Sequence, residues 1–524
     1  MPDRDIDIPP IDAVSIAELS GHVVHITGSD DPALFQYVRA EGVLYPVLKM
    51  PYAFSDPTDV VFPVAHLREV VHSKQDSEIF EDSLTSLLSR LQLVSWMSNE
   101  SAQKLSNAIS FVLSKVQALR KQVPRAPSAR YQPGDLLESS PLRGLAWHSS
   151  RQVIALAHRQ DSIHIYDLIS EKWLPPPPSG LRHEYQKSVT AVEWNPQVST
   201  LLAASSKFGV CLWRLIFDPT PEKNYDQHGV PDFVDDALGC YGWMNLLRFP
   251  QCEEITTISW SPDGRFLAAA SGTSSTLLIW DVALETATPF RRRGHGTTSL
   301  AWSPDGQYLI HCTDVIRIYE TRTWAFETLN TQKLRPHSVC WMPDSRMFMF
   351  AVETGRSIVV QQLNRPAPAL EIKHVTRLRM PDFYSETHDS SIGGKIKAMV
   401  LDSTGKRLAV SFDGYHRGAE LIALFSLTNR PLPEIEPIGY IRGPQWHPNA
   451  PQPQPPRSPY QRAAFTTSTT SDFPSSPVEH DDTNAAATPP VPMIMKFAPE
   501  FKRGALLTVA WENGQVQFVP IYIR

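Results

Sequence analysis

The sequence predicts an all-β fold, a seven-bladed β-propeller of the WD-repeat type, from three observations. The phrases ISWSPDG and LAWSPDG repeat each other, with their tryptophans 42 residues apart. A short apolar strand follows each phrase, and a third strand with period-two alternation ends near an aromatic residue. Units that recur in this way are typical of propellers, in which four-stranded blades close around an axis.

Each unit has one anchor residue at the end of its first strand. The distance from the anchor to the third-strand aromatic is 19, 19, 20 and 17 residues in the first four units, which indicates one repeated antiparallel meander. Seven units result, and we interpret their anchors as blade-packing residues. The anchors are Trp147, Trp194, Trp260, Trp302, Trp341, Leu401 and Phe497.

The phrase after the anchor predicts a tight reversal between the first and second strands. In Ser261–Gly264 the proline presets φ within the turn, and the glycine accepts a positive φ without a steric cost. The dipeptides Trp280-Asp281 and Gly294-His295 are those of the WD-repeat pattern. The repeated phrase therefore describes architecture rather than a catalytic site.

The predicted propeller extends over residues 131–524, and uneven anchor spacing indicates insertions within it. Spacings of 42 and 39 residues fit bare blades, whereas 66, 60 and 96 residues exceed them. The predicted insertions are about 216–250, 364–394 and 430–492. The third is rich in Pro, Ser and Thr, so we expect a disordered loop. Its Ser-Pro pairs, at Ser458 and Ser476, fit either a plain linker or phosphorylation sites.

Residues 1–130 lie outside the repeats and form a predicted N-terminal extension. The stretch GHVVHI, residues 21–26, alternates like a strand, and we expect it to supply the outer strand of the last blade. Leucines at positions i, i+3, i+4 and i+7 predict amphipathic helices over about 77–123, ending before Pro124. These helices either pack on the propeller or remain available to a partner.

Composition and motifs restrict the function classes. A net charge of −6 and a pI near 6.3 provide no basic field for direct nucleic-acid binding. Neither a secretory signal nor an 18-residue apolar stretch is evident. The five cysteines form no CxxC pair, so we expect reduced, mostly buried thiols. Because P-loop, zinc and nucleophile motifs are absent, we expect no enzyme activity, no cofactor and no metal.

One basic motif has two interpretations. Arg291, Arg292 and Arg293 follow one another within PFRRRGHG and can bind phosphate groups bidentately. They can equally form a solvated cluster that meets an acidic patch of a partner protein. The stretch also resembles the FRRG motif of phosphoinositide-binding propellers, with one extra arginine. That resemblance implies an alternative function at membranes, in trafficking or autophagy.

The C-terminal stretch MKFAPEFKRGALLTVAWENGQVQFVPIYI is similar to the last blade of the aladin family of WD-repeat nucleoporins. LRGLAWHSS, SVTAVEWNP and DSTGKRLAVSF match that family in the same order, so the resemblance covers most of residues 140–524. It implies a non-enzymatic component of the nuclear pore complex at the nuclear envelope. It also implies that a membrane-spanning pore protein binds the chain, that the chain supports nucleocytoplasmic transport, and that it is linked to the mitotic spindle.

Overall fold

The computed structural model describes a set of ranges within the 524-residue chain, and all regular elements in them are β-strands. The described residues are 9, 13–27, 31, 44–54, 140–174, 180–217, 240–250, 254–291, 294–329, 331, 334–352, 355–365, 371–380, 383–385, 390–413, 418–429, 432–444 and 490–523. The predicted helices at about 77–123, Ser458, Ser476 and most of the predicted loop 430–492 lie outside these ranges.

The strands fall into one N-terminal group and seven blades, numbered here in chain order. The N-terminal strands are β1 (Val14–Leu19), β2 (His22–Ile26) and β3 (Leu48–Lys49). Blade 1 contains β4 (Leu142–Trp147), β5 (Val153–His158), β6 (Ile163–Asp167) and β7 (Lys172–Trp173). Blade 2 contains β8 (Val192–Trp194), β9 (Leu201–Ser206), β10 (Gly209–Phe217) and β11 (Cys240–Leu247). Blade 3 contains β12 (Ile255–Trp260), β13 (Phe266–Ser271), β14 (Leu277–Asp281) and β15 (Thr286–Phe290).

The remaining blades follow the same pattern. Blade 4 contains β16 (Ser299–Trp302), β17 (Tyr308–Cys312), β18 (Ile316–Glu320) and β19 (Phe326–Leu329). Blade 5 contains β20 (Pro336–Trp341), β21 (Met347–Val352), β22 (Ser357–Arg365) and β23 (Glu371–Arg379), followed by a hairpin of β24 (Phe383–Ser385) and β25 (Ser390–Ile392). Blade 6 contains β26 (Lys395–Leu401), β27 (Arg407–Asp413), β28 (Leu421–Thr428) and β29 (Glu434–Arg442). Blade 7 contains β30 (Pro492–Phe497), β31 (Gly504–Trp511) and β32 (Gln515–Tyr522).

Seven sheets close into a ring, which confirms the predicted seven-bladed propeller. In blades 1 to 6 the four strands pair antiparallel in chain order. The first strands of successive blades contact one another all the way round, and β30 of blade 7 returns to β4 of blade 1. The first strands therefore surround the axis, and the fourth strands lie at the rim.

The apolar core is divided among the boundaries between blades. Seven clusters of buried side chains occur, and each combines residues of two neighbouring blades. The largest fully buried side chains include Trp213, Trp511 and Tyr319, which lie on second or third strands. Burying one large apolar side chain contributes roughly 1.5–3 kcal/mol. Because these side chains are buried between blades, each blade is stabilised mainly by its two neighbours.

The turns after the anchors have the predicted backbone. Gly264 and Gly306 adopt φ values of 69° and 72°, in the region that favours glycine. Each glycine N–H donates to the carbonyl of the serine three residues earlier, at 2.8 and 2.9 Å. The Ser261 hydroxyl also accepts the Phe266 N–H at 2.8 Å. The repeated sequence phrase thus forms the same tight turn in blades 3 and 4.

The three predicted insertions need correction, because each contains the fourth strand of a blade. β11 lies within 216–250, β23 within 364–394 and β29 within 430–492. In β23 the side chains are mostly exposed or half-buried, so the apolar alternation that identifies inner strands is lost. The predicted insertion bounds therefore include the fourth strands of blades 2, 5 and 6.

The predicted closing strand lies in the sheet of blade 7, but not next to β32. Residues 22–26 form β2, the outermost strand of that sheet, and β2 pairs with β1. The N-terminal chain next to β32 is β1, which pairs with it in parallel through Glu18 and Ile521. β3 adds an antiparallel pair at the other end of β32, between Leu48 and Val516. Two separate N-terminal pieces thus fill the outer position of blade 7.

Polar contacts fix β1 at the boundary of blades 6 and 7. Glu18 has no exposed surface, and its carboxylate accepts two N–H groups of Arg407 at 3.1 Å each. The Ser15 carbonyl accepts the Gln517 side-chain amide at 2.6 Å, and the Ser15 hydroxyl accepts the Arg442 N–H at 2.9 Å. The N-terminal strand is therefore bonded to both blades that it joins.

Three cysteines within the described chain carry free thiols. Cys211 and Cys312 are buried, and Cys340 is half-buried. Burial raises the pKa of Cys211 to about 12 and that of Cys340 to about 11, and it raises the pKa of Cys312 as well. Thiols of this kind stay protonated and unreactive at neutral pH.

Candidate functional site

The tryptophan anchors connect neighbouring blades through a recurring hydrogen bond. Three of the five anchor indoles donate their Nε1–H to the carbonyl of the residue just before the preceding anchor. Trp260 donates to Glu193 at 3.2 Å, Trp302 to Ser259 at 3.0 Å, and Trp341 to Ala301 at 3.0 Å. These side chains are at most 8% exposed. The geometry assigns them to the interior of the ring rather than to a ligand surface.

The other four anchors occupy the same position with different contacts. Trp147 donates to the Thr508 hydroxyl of blade 7 at 3.0 Å, and the Trp194 ring packs 4.9 Å from the ring of His148. Leu401 and Phe497 are partly buried and carry no donor. Between blades 5 and 6, the ring nitrogen Nε2 of His337 bonds the Ile396 carbonyl at 2.7 Å instead.

The structure describes only one residue of the three-arginine motif. Arg291 follows β15 on the connection from blade 3 to blade 4, and Arg292 and Arg293 lie outside the described residues. Phe290, just before the motif, packs its ring 5.6 Å from Tyr319 and 5.2 Å from Trp324. The motif therefore begins where blade 3 is firmly packed on blade 4, and an anion site there remains a prediction.

No group of three His, Cys, Asp or Glu side chains with metal-binding geometry occurs among the described residues. Nor does that part of the chain contain a helix with the length and apolarity needed to span a bilayer.

A single carboxyl group next to the axis was missed in the sequence. Glu193 lies on β8, and its side-chain carboxylate accepts the main-chain N–H of Trp260 at 3.0 Å. Burial raises the pKa of Glu193 to about 7, although the positive charge of Lys496 on blade 7 acts in the opposite direction. Position 193 directly precedes an anchor, where the other blades carry alanine, serine, cysteine, valine or, at Lys496 of blade 7, lysine. Lys496 is therefore the equivalent residue of blade 7, and its charge acts on the Glu193 carboxyl group.

One concave surface of the described chain is a groove of about 630 Å³ between blades 7 and 1. Three turns form it: the turn after β4, the turn between β6 and β7, and the turn after β30. Ile169 is 75% exposed at its edge, and Phe501 and Leu174 are half-buried beside it. We call this surface the 7–1 groove.

The charges around the 7–1 groove are mainly positive. The exposed side chains of Arg151, Lys172 and Lys502 lie around it, with Glu500 as the exposed acidic group. The carboxylate of Asp167 accepts the Ile169 N–H at 3.0 Å and the Ser170 hydroxyl at 2.8 Å, so it stabilises the turn.

A second groove lies on the same face of the ring, between blades 4 and 5. It has a volume of about 560 Å³ and is mainly polar, with Asp305, Asp344, Arg346 and Gln362 among its lining residues. Both grooves are bounded by turns that follow anchors. This face therefore presents its recesses at blade boundaries, and the 7–1 groove is the more apolar of the two.

These features define the class of the protein: a closed seven-bladed propeller of the WD-repeat type, with interblade grooves on one face. The model of the aladin seven-bladed propeller family matches residues 130–473, and the chain belongs to that family. A curated relative, aladin of Arabidopsis thaliana, is 28% identical over 421 residues, covering 78% of this chain and 83% of the relative. The family match confirms the resemblance seen in the sequence.

A solved structure is also similar, the β-propeller domain of Cps50 (Swd1) from Myceliophteria thermophila. It has a TM-score of 0.46 and 12% identity, and it covers 72% of this chain and 96% of that domain.

Proposed function

We propose that this protein is a non-enzymatic scaffold of the nuclear pore complex, which supports nucleocytoplasmic transport by binding an integral pore-membrane protein. The observation that carries the proposal is membership of the aladin propeller family, which matches 344 residues, from 130 to 473. The absence of a metal-binding cluster among the described residues is compatible with a binding role.

The contact surface in this proposal is the 7–1 groove. Ile169 offers an exposed apolar side chain, and the surrounding positive charges favour an acidic segment. We infer that the pore-membrane partner presents an apolar residue next to acidic ones. The same family resemblance motivates a further part of the proposal, an association with the spindle in dividing cells.

Live imaging tests the proposal directly. The full chain is expressed with a fluorescent tag in its native cell, together with a marked pore component. A punctate nuclear rim that coincides with the marker is the expected result, with spindle signal in mitotic cells. Uniform signal through the cell would contradict the pore assignment.

The phosphoinositide alternative is not favoured by the family match, and the same imaging separates it. That function requires spots on endosomes or on the vacuole, and these must disperse when Arg292 and Arg293 are both replaced by serine. In flotation assays the wild type must also rise with vesicles that contain phosphoinositide and remain below with vesicles that lack it. Rim localisation without lipid dependence excludes it.

A further inference from the structure

Three arginines from separate parts of blade 1 converge on the face opposite the 7–1 groove. Arg143 lies near the start of β4, Arg159 directly follows β5, and Arg182 lies on the connection to blade 2. All three charges act on the imidazole of His158 at the end of β5. Burial is the main cause of the lowered pKa of His158, and these three charges lower it further.

Two of these guanidinium groups hold nitrogens that have no acceptor among the residues that the structure describes. Nη1 of Arg159, and Nε and Nη2 of Arg182, are buried without a hydrogen-bond partner among the described residues. Arg143 differs, because it lies 4.0 Å from the Asp161 carboxylate. A buried donor without an acceptor costs roughly 1–3 kcal/mol, and more when it is charged. Such groups call for an explanation, and a bound ion is one.

The local charge is strongly positive. Asp161 is the one carboxylate paired with an arginine of this cluster in the described chain, and its oxygen also accepts the Val189 N–H at 3.0 Å. Three guanidinium groups against this one carboxylate leave a net charge of about +2. His158 adds none, because Nδ1 accepts the Gln160 N–H at 3.2 Å and Nε2 bonds the Pro51 carbonyl at 2.9 Å, as a neutral imidazole does.

The N-terminal chain fixes one wall of this cluster. The Arg159 guanidinium lies over the Tyr52 ring, 4.0 Å from its centre. The Phe54 ring packs 4.9 Å from His158 and 5.2 Å from His164. Stacking on an aromatic ring holds a guanidinium plane in one orientation while its N–H groups remain available to an acceptor. Arg159 is therefore pre-oriented rather than freely rotating.

We propose that Arg159 and Arg182 form an anion site that binds a phosphate group, with Arg143 adding charge. A phosphate monoester carries about −1.5 to −2 at neutral pH, which matches the net charge of the cluster. Its oxygens supply the acceptors that these guanidinium groups lack, and arginine forks bind such groups bidentately. Both side chains are partly exposed, although the nitrogens without acceptors are buried, so a phosphate group would reach them only by a small displacement of the guanidinium groups. The phosphate arrives either on a phosphorylated side chain or as the free ion.

Calorimetric titration of the purified full chain tests the site. The probes are inorganic phosphate, the peptide acetyl-Gly-phosphoserine-Gly-amide and the same peptide without phosphate. We expect both phosphate-bearing probes to bind and the unmodified peptide not to bind. Tighter binding of the phosphopeptide identifies a phosphorylated side chain as the source, and equal or tighter binding of inorganic phosphate identifies the free ion. Absence of binding by both probes overturns the proposal.

Matched variants connect the binding to the cluster. R182Q and R159Q are each expected to weaken phosphate binding at least ~10-fold, about the loss of one charge-assisted pair. R322Q removes an exposed arginine of blade 4 and is expected to change the affinity less than about twofold. Equal affinities in R182Q and R322Q would overturn the proposal.

Thermal melting provides a second measurement, which distinguishes loss of the phosphate site from loss of the folded structure. Without phosphate, R182Q is expected to melt at or above the wild-type temperature, because it removes buried donors that lack acceptors. Added phosphate should raise the melting temperature of the wild type and leave that of R182Q unchanged. An R182Q chain that melts lower and still responds to phosphate would contradict the site.

Discussion

The regular blade boundaries and the boundary of blades 6 and 7 are held together by different means. We call the latter the closing boundary, because the N-terminal strand β1 completes the sheet of blade 7 there. Between blades 2 and 5 an anchor indole repeatedly donates to a main-chain carbonyl of the preceding blade. At the boundary of blades 6 and 7 the anchors are Leu401 and Phe497, and a buried ion pair from the N-terminal strand joins the blades instead. Contacts between equivalent residues of the repeat hold the regular boundaries together. The closing boundary instead uses a residue of the N-terminal extension, which lies outside the repeats.

The largest expected effect comes from breaking the ion pair at the closing boundary. E18A leaves the Arg407 guanidinium buried without its carboxylate, and we expect a loss of about 3–5 kcal/mol in the free energy of unfolding. The double variant E18L/R407M should lose much less, because no buried charge remains. Denaturant unfolding measures both. E434A, at an exposed position of β29, serves as the control, and a loss as small as that of E434A would contradict the comparison.

Two glycine turns sharpen the comparison within the regular blades. Both G264A and G306A place a Cβ at positive φ, which costs about 1–2 kcal/mol. In G264A the Cβ also collides with the Asn195 amide oxygen, whereas in G306A the nearest atom is Pro262 Cδ at an ordinary 3.5 Å. We therefore expect G264A to lose roughly 2–4 kcal/mol and G306A only the smaller amount. Equal losses by chemical denaturation would show that the contact between blades 2 and 3 is unimportant.

Removing one indole N–H tests the regular boundary itself. W302F removes the indole N–H that donates to the Ser259 carbonyl. W147F removes the indole N–H that donates to the Thr508 hydroxyl, but this hydroxyl can rotate towards another partner. Both variants lose the same ring volume. We expect W302F to be the less stable of the two by about 1 kcal/mol, measured by thermal unfolding with each corrected to 25 °C. The reverse order would contradict a special role for the carbonyl contact.

A smaller effect is expected on the stability of the N-terminal hairpin of β1 and β2 at acidic pH. Burial, together with a smaller effect of the Arg442 charge, lowers the pKa of His25 to about 4. An unfolded histidine titrates near ~6.5, so between these values the opened hairpin binds more protons than the closed one. Protection of residues 14–26 from hydrogen exchange should therefore fall as the pH drops from 6.5 towards 4, and this group contributes no change above 6.5.

Variants of two nearby histidines show whether His25 is the group that causes this acid sensitivity. H25N should remove most of the acid sensitivity of the hairpin, whereas H22N, at an exposed position of β2, should retain it. Exchange is followed by mass spectrometry at pH 5 and 7, after correction for the intrinsic rate. Identical pH profiles in the two variants would show that another group controls the opening.

The sequence predicted the inner part of the ring much better than its rim. First strands such as β12 carry an anchor and a turn phrase, and they were recognised, but the half-exposed strand β23 carries neither. β1 was missed because Glu18 stands at a fully buried position, where a carboxylate in the sequence indicates a surface. The ion pair explains its burial, and its partner lies 389 residues away.

The same contrast applies to the candidate sites. A run of arginines at 291–293 is visible in the sequence, whereas Arg143, Arg159 and Arg182 are scattered and meet only because the start of β4, the end of β5 and the connection to blade 2 share one face. The 7–1 groove was likewise not predictable, because it combines turns from opposite ends of the propeller sequence. A groove between two blades can be predicted only once it is known which blades are neighbours in the closed ring.

The most direct test of the scaffold account compares two exposed apolar residues in cells. Ile169 lies at the 7–1 groove, and Leu284 occupies the corresponding turn of blade 3 with 67% of its surface exposed. Neither I169D nor L284D should destabilise the fold. The account predicts that tagged I169D loses most of its nuclear-rim fluorescence, while L284D matches the wild type. Normal rim fluorescence in I169D would contradict docking through the 7–1 groove.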